Sequence, residues 1–430
     1  MRRGKKKLIL IGAKTVLLLA MIIAICTSGQ EESASVPEIR KDYTSLNELI
    51  SNSDSDIDDL HKLDSKIKYY MSKWQIKGAS LAITRNDSLV YAKGYGWADQ
   101  ENGIEMQPGH IMRMASVSKL LTAVGIMVLQ DQGKLNIKDN VFGENGILSD
   151  SLYTSTIKDK NYYKITVEHL LRHQGGFYRD PVFSSRDVKN QMGLDHAPTK
   201  EDFFRLVLRH RLRFQPGSWQ KYSNFGYMLL SEIIEKVSGK SYEQFMKEDV
   251  FIPAGCYDMH ISGIYYNEKR KNEVRYYTHD GDGKYVPEYN GSGEMVERCY
   301  GGNNIPVLSG AGAWCGSTIE IARLVASIDG KPEVKDIISD QAVRQMTAYT
   351  DKETFSLGWN DTRPDSGWSR SGTLSGTCAL VKYFPDGECW IMITNTSTWK
   401  GPRQAKYTNA LFKECRKLYS KKLPAKNLFE

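Results

Sequence analysis

The segment 114–129 constrains this chain more than any other. Its residues are apolar almost all round a helical period, and Gly133 follows where a helix-ending left-handed residue belongs. Such a helix has no face for water and must be packed on most sides. The chain has the material to do so: 430 residues, 40% hydrophobic and 10% aromatic, an ordinary globular composition. That excludes a disordered or collagen-like chain, and seven cysteines are too sparse for a disulfide scaffold. No internal repeat of fixed period is visible.

The flanking patterns say what surrounds the helix. Leu60, Leu63, Ile67, Tyr70, Met71 and Trp74 fall at helical spacing. Apolar runs at 79–84 and 89–93 then read as a β-hairpin around Arg85-Asn86-Asp87-Ser88. Near the other end, runs at 378–384 and 389–394 flank Pro385-Asp386-Gly387, and Pro402 opens a helix carrying Tyr407, Leu411, Cys415 and Leu418. Ser317 and Glu320 form a capping-box signature before another apolar run. The middle is more helical and polar, with helices predicted near 166–172 and 226–237. This order predicts an α/β fold of the α+β sandwich kind. Its antiparallel sheet is built from both chain ends (56–135 and 305–425) and flanked by helices, with a mainly helical inserted part over 136–304.

Net charge is +7, but Arg2, Arg3, Lys5, Lys6, Lys7 and Lys14 crowd the first residues with no acid among them. The rest is near neutral, so no nucleic-acid partner is expected. The apolar run 16–25 and the small residues after Cys26 complete an export signal or a membrane or lipid anchor over 1–28. The folded part is then expected outside the cytoplasm, in the periplasm or cell envelope, with membrane attachment through the amino terminus where the leader is retained. Residues 29–55, rich in Ser, Glu, Asn and Asp, are expected to be a flexible tether to a domain at 56–425. Cys256, Cys299, Cys315, Cys378, Cys389 and Cys415 read as small buried hydrophobes, though six cysteines allow fifteen pairings.

Several catalytic signatures are missing. No G-x-S-x-G occurs, Gly310-Ala311-Gly312 lacks the third glycine of a dinucleotide loop, and Asp280-Gly281-Asp282 has Gly291 where a calcium loop needs glutamate. His169 and His173 have metal-ligand spacing but no third ligand, and read as core-facing or capping residues, so no metal or cofactor is expected. S-x-x-K is the positive signal, because residues three apart share a helix face and a buried Lys can take a hydroxyl proton. The pattern occurs at Ser65/Lys68, Ser116/Lys119, Ser155/Lys158, Ser218/Lys221 and Ser397/Lys400. Only Ser116-Val117-Ser118-Lys119 opens the buried helix, where a charge needs a reason.

Met114-Ala115-Ser116-Val117-Ser118-Lys119 resembles the nucleophile motif of the serine β-lactamase-related superfamily, in its class C and penicillin-binding-protein branch. The segments 94–99 and 165–173 resemble flanking family sequence, so the likeness covers nearly all of 60–420. Tyr222-Ser223-Asn224 matches the family's Tyr-x-Asn; Tyr265-Tyr266-Asn267 and Tyr407-Thr408-Asn409 fit the bare pattern without the surroundings. Arg370-Ser371-Gly372-Thr373 stands where members carry Lys-Thr-Gly or His-x-Gly. The resemblance implies Ser116 as nucleophile, Lys119 and Tyr222 as its bases, Asn224 as orienter of the substrate amide or of Lys119, and the Ser116 and Thr373 N–H groups as oxyanion donors. Arg cannot act as a base near neutrality but forks onto carboxylates, so Arg370 is expected to receive a substrate carboxylate beside Ser371 and Gly372. The expected activity is acyl-enzyme hydrolysis of a β-lactam, a D-amino-acid cell-wall peptide or a small ester. A sensor or pseudoenzyme that keeps the fold without turnover is the alternative.

Overall fold

The computed structural model describes residues 44–280, 283–351 and 354–430. The leader expected over 1–28 and residues 29–43 lie outside them. Among the described residues no helix is long and apolar enough to cross a membrane.

A six-stranded antiparallel sheet organises the unit Thr44–Glu430. Its strands are β1 (Gly78–Arg85), β2 (Ser88–Asp99), β3 (Ile104–Glu105), β4 (Trp368–Leu374), β5 (Thr377–Tyr383) and β6 (Glu388–Thr394), in the order β4-β5-β6-β1-β2-β3. The two chain ends meet at the β1–β6 seam, from Ala79 opposite Thr394 to Arg85 opposite Glu388. The β1–β2 turn falls on Asn86 and Asp87, both left-handed, as a tight hairpin twisting with its strands requires.

Both sheet faces are covered, which is why the central strands read as unbroken apolar runs. Five helices matter here: α1 (His61–Lys73), α2 (Ser118–Asp131), α3 (Asn224–Ser238), α4 (Thr318–Ala326) and α5 (Gln404–Tyr419). Leu81, Ile83, Trp390 and Met392 share a core with Ile67 of α1 and Phe412 of α5. Their strand neighbours Ala82, Ile391 and Ile393 belong to the other core, with α2, α3 and Leu324 of α4. In α2 every residue from Ser118 to Leu129 is buried. Ser317 and Glu320 form the expected capping box of α4, and all six described cysteines are buried and outside any disulfide.

Four expectations need correction. Residues 44–55 are not a tether: Asn52 and Ser55 accept hydrogen bonds from Gly94 N (2.7 Å) and Ala92 N (2.9 Å), and Ser45 and Asn47 donate to Asp258. Their polarity serves the free edge of β2, which β3 pairs only near its end. Second, the domain does not stop at 425, because Leu428 N and Asn427 Oδ1 bond to Leu89 at the other end of that edge. Third, the inserted part is helical only to residue 254; from 255 to 304 the described residues hold short strands, one 3₁₀ turn and loops. Finally, α5 buries Thr408, Leu411, Phe412, Cys415 and Tyr419 and leaves Tyr407 and Leu418 exposed, a stripe rotated from the one predicted.

Candidate active site

The nucleophile turn is held by three hydrogen bonds from neighbouring segments. Met114 N bonds to Trp314 O, Thr377 Oγ1 donates to Arg113 O (2.7 Å), and Trp314 N donates to Ser118 Oγ (3.2 Å). Ser116 lies in a 3₁₀ turn, Ala115–Val117, that leads straight into α2. Behind it stands Gly372 of β4, where a Cβ would lie 2.2 Å from Met114 O and 2.9 Å from Ser116 N. No side chain fits there, so glycine is what lets β4 approach the nucleophile.

Lys119 is fully buried. Its Nζ donates to Ser116 Oγ at 3.2 Å, Asn224 Oδ1 at 2.8 Å and Ala311 O at 2.5 Å, filling the three donors of an ammonium. Burial pushes its pKa below the ordinary lysine value. Tyr222 reaches the same hydroxyl from the other side, its phenol donating to Ser116 Oγ at 2.8 Å. Burial raises that phenol, but the charges of Lys119 and then Arg370 outweigh it and bring the group down to about 8.

Tyr222 and Asn224 are placed by the start of α3. Ser223 caps the helix through Gly226 N, and Asp180 takes Asn224 N (2.5 Å) and Phe225 N (3.3 Å). Ser223 N donates to His173 Nδ1 at 3.1 Å, and the His173 ring lies against Tyr222 with centroids 4.5 Å apart. Burial, followed by the charges of Arg370 and Lys119, drives the His173 pKa far down, which keeps the imidazole neutral. His169 Nδ1 accepts from Thr166 N (3.2 Å) in a helix-capping role.

Arg370 is the departure from expectation. It is fully buried, with Nε donating to Ser116 O at 2.7 Å and Nη2 to Tyr222 OH at 3.2 Å. Two of its three nitrogens are thus engaged beneath the nucleophile, and Nη1 is buried without a hydrogen-bond partner. The guanidinium supports the site instead of displaying a fork in the cleft. Along the outer edge of β4, Ser369 N bonds to Asp361 O, and Ser371 N to Asn360 Oδ1. The alternation of an antiparallel strand then turns Thr373 N–H to that same edge, beyond Gly372 and the Ser116 turn.

Sequence reasoning missed Asp180, the helix-start role of His173 and the carbonyl of Ala311. Gly310-Ala311-Gly312 carries a signal of a different kind from the nucleotide loop it was tested against. A Cβ at Gly310 would lie 2.8 Å from Tyr227 O, so the glycine lets this loop press on α3 and aim Ala311 O at Lys119.

Taken together, a hydroxyl bonded by a lowered amine and a lowered phenol can be deprotonated and attack an acyl carbon. Residues 63–413 match the family model described as beta-lactamase. The chain belongs to that family. It is 26% identical over 335 residues to the putative penicillin-binding protein PbpX of Bacillus subtilis (strain 168), covering 77% of this chain and 73% of that protein. It is 26% identical over 250 residues to a putative D-alanyl-D-alanine carboxypeptidase of Escherichia coli O157:H7, covering 56% of this chain and 54% of the relative. The chain therefore spans about half of that relative's length. Among solved structures, the D-amino acid amidase of Ochrobactrum anthropi SV3 superposes with a TM-score of 0.65 at 19% identity, over 85% of this chain and 99% of the amidase. That likeness shows the shared mixed α/β fold.

Proposed function

We propose that this beta-lactamase-family protein is an exported serine hydrolase working through an acyl-enzyme on Ser116, with D-amino-acid peptides as its substrates. β-Lactams and small esters are further acyl donors of the same chemistry. One observation carries the reading: Ser116 Oγ lies within hydrogen-bond reach of both Tyr222 OH and Lys119 Nζ.

Tyr222, drawn down towards neutrality, takes the Ser116 proton in its ionised form as Oγ attacks, while the Lys119 ammonium donates to Oγ and steadies the negative charge passing between the two oxygens. Asn224, held by its bond to Lys119, presents its amide N–H₂ to the substrate. The developing oxyanion is received by Ser116 N and Thr373 N, and losing one such donor costs about 3–4 kcal/mol of barrier. The leaving amine collects the proton from Tyr222, and water then hydrolyses the ester. The basic and apolar leader at 1–28 supports export, and the names of the carboxypeptidase relative and the amidase support a D-amino-acid peptide.

The test is covalent labelling by a fluorescent penicillin or a fluorophosphonate, followed by turnover of nitrocefin, a D-Ala-D-Ala peptide and a nitrophenyl ester. Labelling is expected in the unsubstituted protein and absent in Ser116→Ala. Equal labelling of the two proteins would overturn the assignment.

A further inference from the structure

The near-neutral sum over the folded part conceals a local segregation of charge. Segments 173–180 and 209–222 run side by side, joined by Arg213 N to Gly176 O (2.7 Å), Gly217 N to Gln174 O (3.1 Å) and Lys221 N to His173 O (2.9 Å). Together they carry Arg179, Arg209, Arg211, Arg213 and Lys221, and a single acid, Asp180. Asp180 is committed to the two N–H groups that open α3. Arg209, Arg211 and Arg213 are exposed and Arg179 and Lys221 half-exposed; Asp159, which accepts from Leu212 N, is near enough to Arg211 to feel its charge, as Asp180 feels Lys221, and Arg179 donates to Gln191, but no carboxylate oxygen of the described residues is within ion-pair distance of the five. Burial, and then the charges of Arg179 and of the adjacent Arg209, lower the pKa of His210, so Arg179 approaches the 209–222 segment across the pairing.

The strip leads into the site. Lys221 precedes Tyr222, and Arg179 precedes the carboxylate that holds Asn224 in place. Two aromatic side chains stand out from the same segments, Tyr178 at 57% exposure beside His210 and Trp219 at 58% against Phe214. Exposed aromatics among solvent-facing arginines offer flat apolar faces and forked donors, which suit carboxylates spaced along a peptide.

We propose that this strip is an extended subsite for the acyl portion of an anionic peptide, with carboxylates within a few residues of the scissile bond. The proposal rests on the acyl-enzyme reading above. A bound chain continuous with the acyl group at Ser116 runs past Tyr222 and Asn224 onto Lys221, Arg213 and Arg211. A polyphosphate chain would answer to the charge but makes no use of Tyr178 and Trp219.

The experiment measures binding, so it does not depend on turnover. A fluorescent peptide ending in D-Ala-D-Ala and bearing two side-chain carboxylates is titrated against Ser116→Ala protein by anisotropy, beside the same peptide with both carboxylates amidated. At low salt the acidic peptide is expected to bind at least about tenfold more tightly, and about 0.5 M salt should erase most of that advantage. Adding Arg211→Glu and Arg213→Glu should abolish it while leaving the neutral peptide's affinity and the thermal unfolding midpoint unchanged. Equal affinities in the starting protein, or an advantage that survives charge reversal, would overturn the proposal. So would displacement of the acidic peptide by polyphosphate as readily as by its own unlabelled form. Failure of the acyl-enzyme reading shows up elsewhere, as absence of Ser116-dependent labelling.

Discussion

Replacing Arg370 by glutamine tests how the site ionises. Arg370 Nη2 lies 3.2 Å from the Tyr222 phenol oxygen, and an arginine keeps its charge at any working pH. Two unit charges at that separation interact by about 5 kcal/mol at an effective dielectric of about 20, an upper limit for the pair. Solvent and the second cation, Lys119, reduce the effect to the one to three pKa units an adjacent opposite charge usually produces, roughly two units or about 2.7 kcal/mol. Phenolate is the charged form, so losing a cation raises the phenol, from about 8 towards roughly 10. The base works when deprotonated, so the acid limb of the kcat/KM profile moves up with it. At pH 7 the ionised fraction then falls from roughly a tenth to roughly a thousandth, a loss near 100-fold. Arg370→Lys, which restores the charge, should return the limb towards its starting position. The assay is kcat/KM against pH with a nitrophenyl ester, with thermal unfolding to register the lost bond to Ser116 O. An acid limb that stays in place in Arg370→Gln, with activity lowered equally at every pH, would refute the reasoning.

Three further outcomes follow from the same packing. Gly372→Ala drives a Cβ into Met114 O and Ser116 N and should cost at least about 100-fold in acylation rate, because a displacement near 1 Å at the nucleophile is felt on that scale; rapid-mixing acylation measures it. Removing residues 1–55 strips the caps from Ala92 N and Gly94 N, and the midpoint of chemical unfolding should fall by the equivalent of about 2–4 kcal/mol. Burial works against ionisation of Glu273, yet His260, with Nε2 3.6 Å from the carboxylate, together with Arg113 and the Tyr276 hydroxyl, holds it down to about 2. A carboxylate lowered in the folded state contributes stability above its unfolded pKa and loses it as pH falls through the folded one. His260→Ala should therefore shrink the stability lost between about pH 4.5 and 2, read from urea unfolding at a series of pH values.

Legibility in the sequence followed the range of the interaction involved. The sheet seam, the hairpin on Asn86 and Asp87, α2 and the capping box at Ser317 are written in local periodicity and turn chemistry, so short windows suffice. The failures share another cause. The segment 44–55 has the composition of a tether, but Asn52 and Ser55 bond to the β2 backbone and Ser45 and Asn47 to Asp258, contacts far along the chain that composition does not register. The buried side of α5 follows from which residues α1 and the sheet present to it, and Arg370 could not be directed into the cleft or beneath it without knowing what lies under Ser116.

From the amino-acid sequence alone came the buried helix with a hydroxyl and an amine at its head and the strands of the two-ended sheet, since these depend on neighbours within a few residues, while the candidate reacting groups came from the resemblance of its motifs. Three-dimensional packing alone decided that Tyr222 and Lys119 meet one oxygen, that Gly372 backs the nucleophile turn, and that Arg370 supports the phenol from below. Those are relations between segments a hundred or more residues apart, and their distances are set by how the cores close.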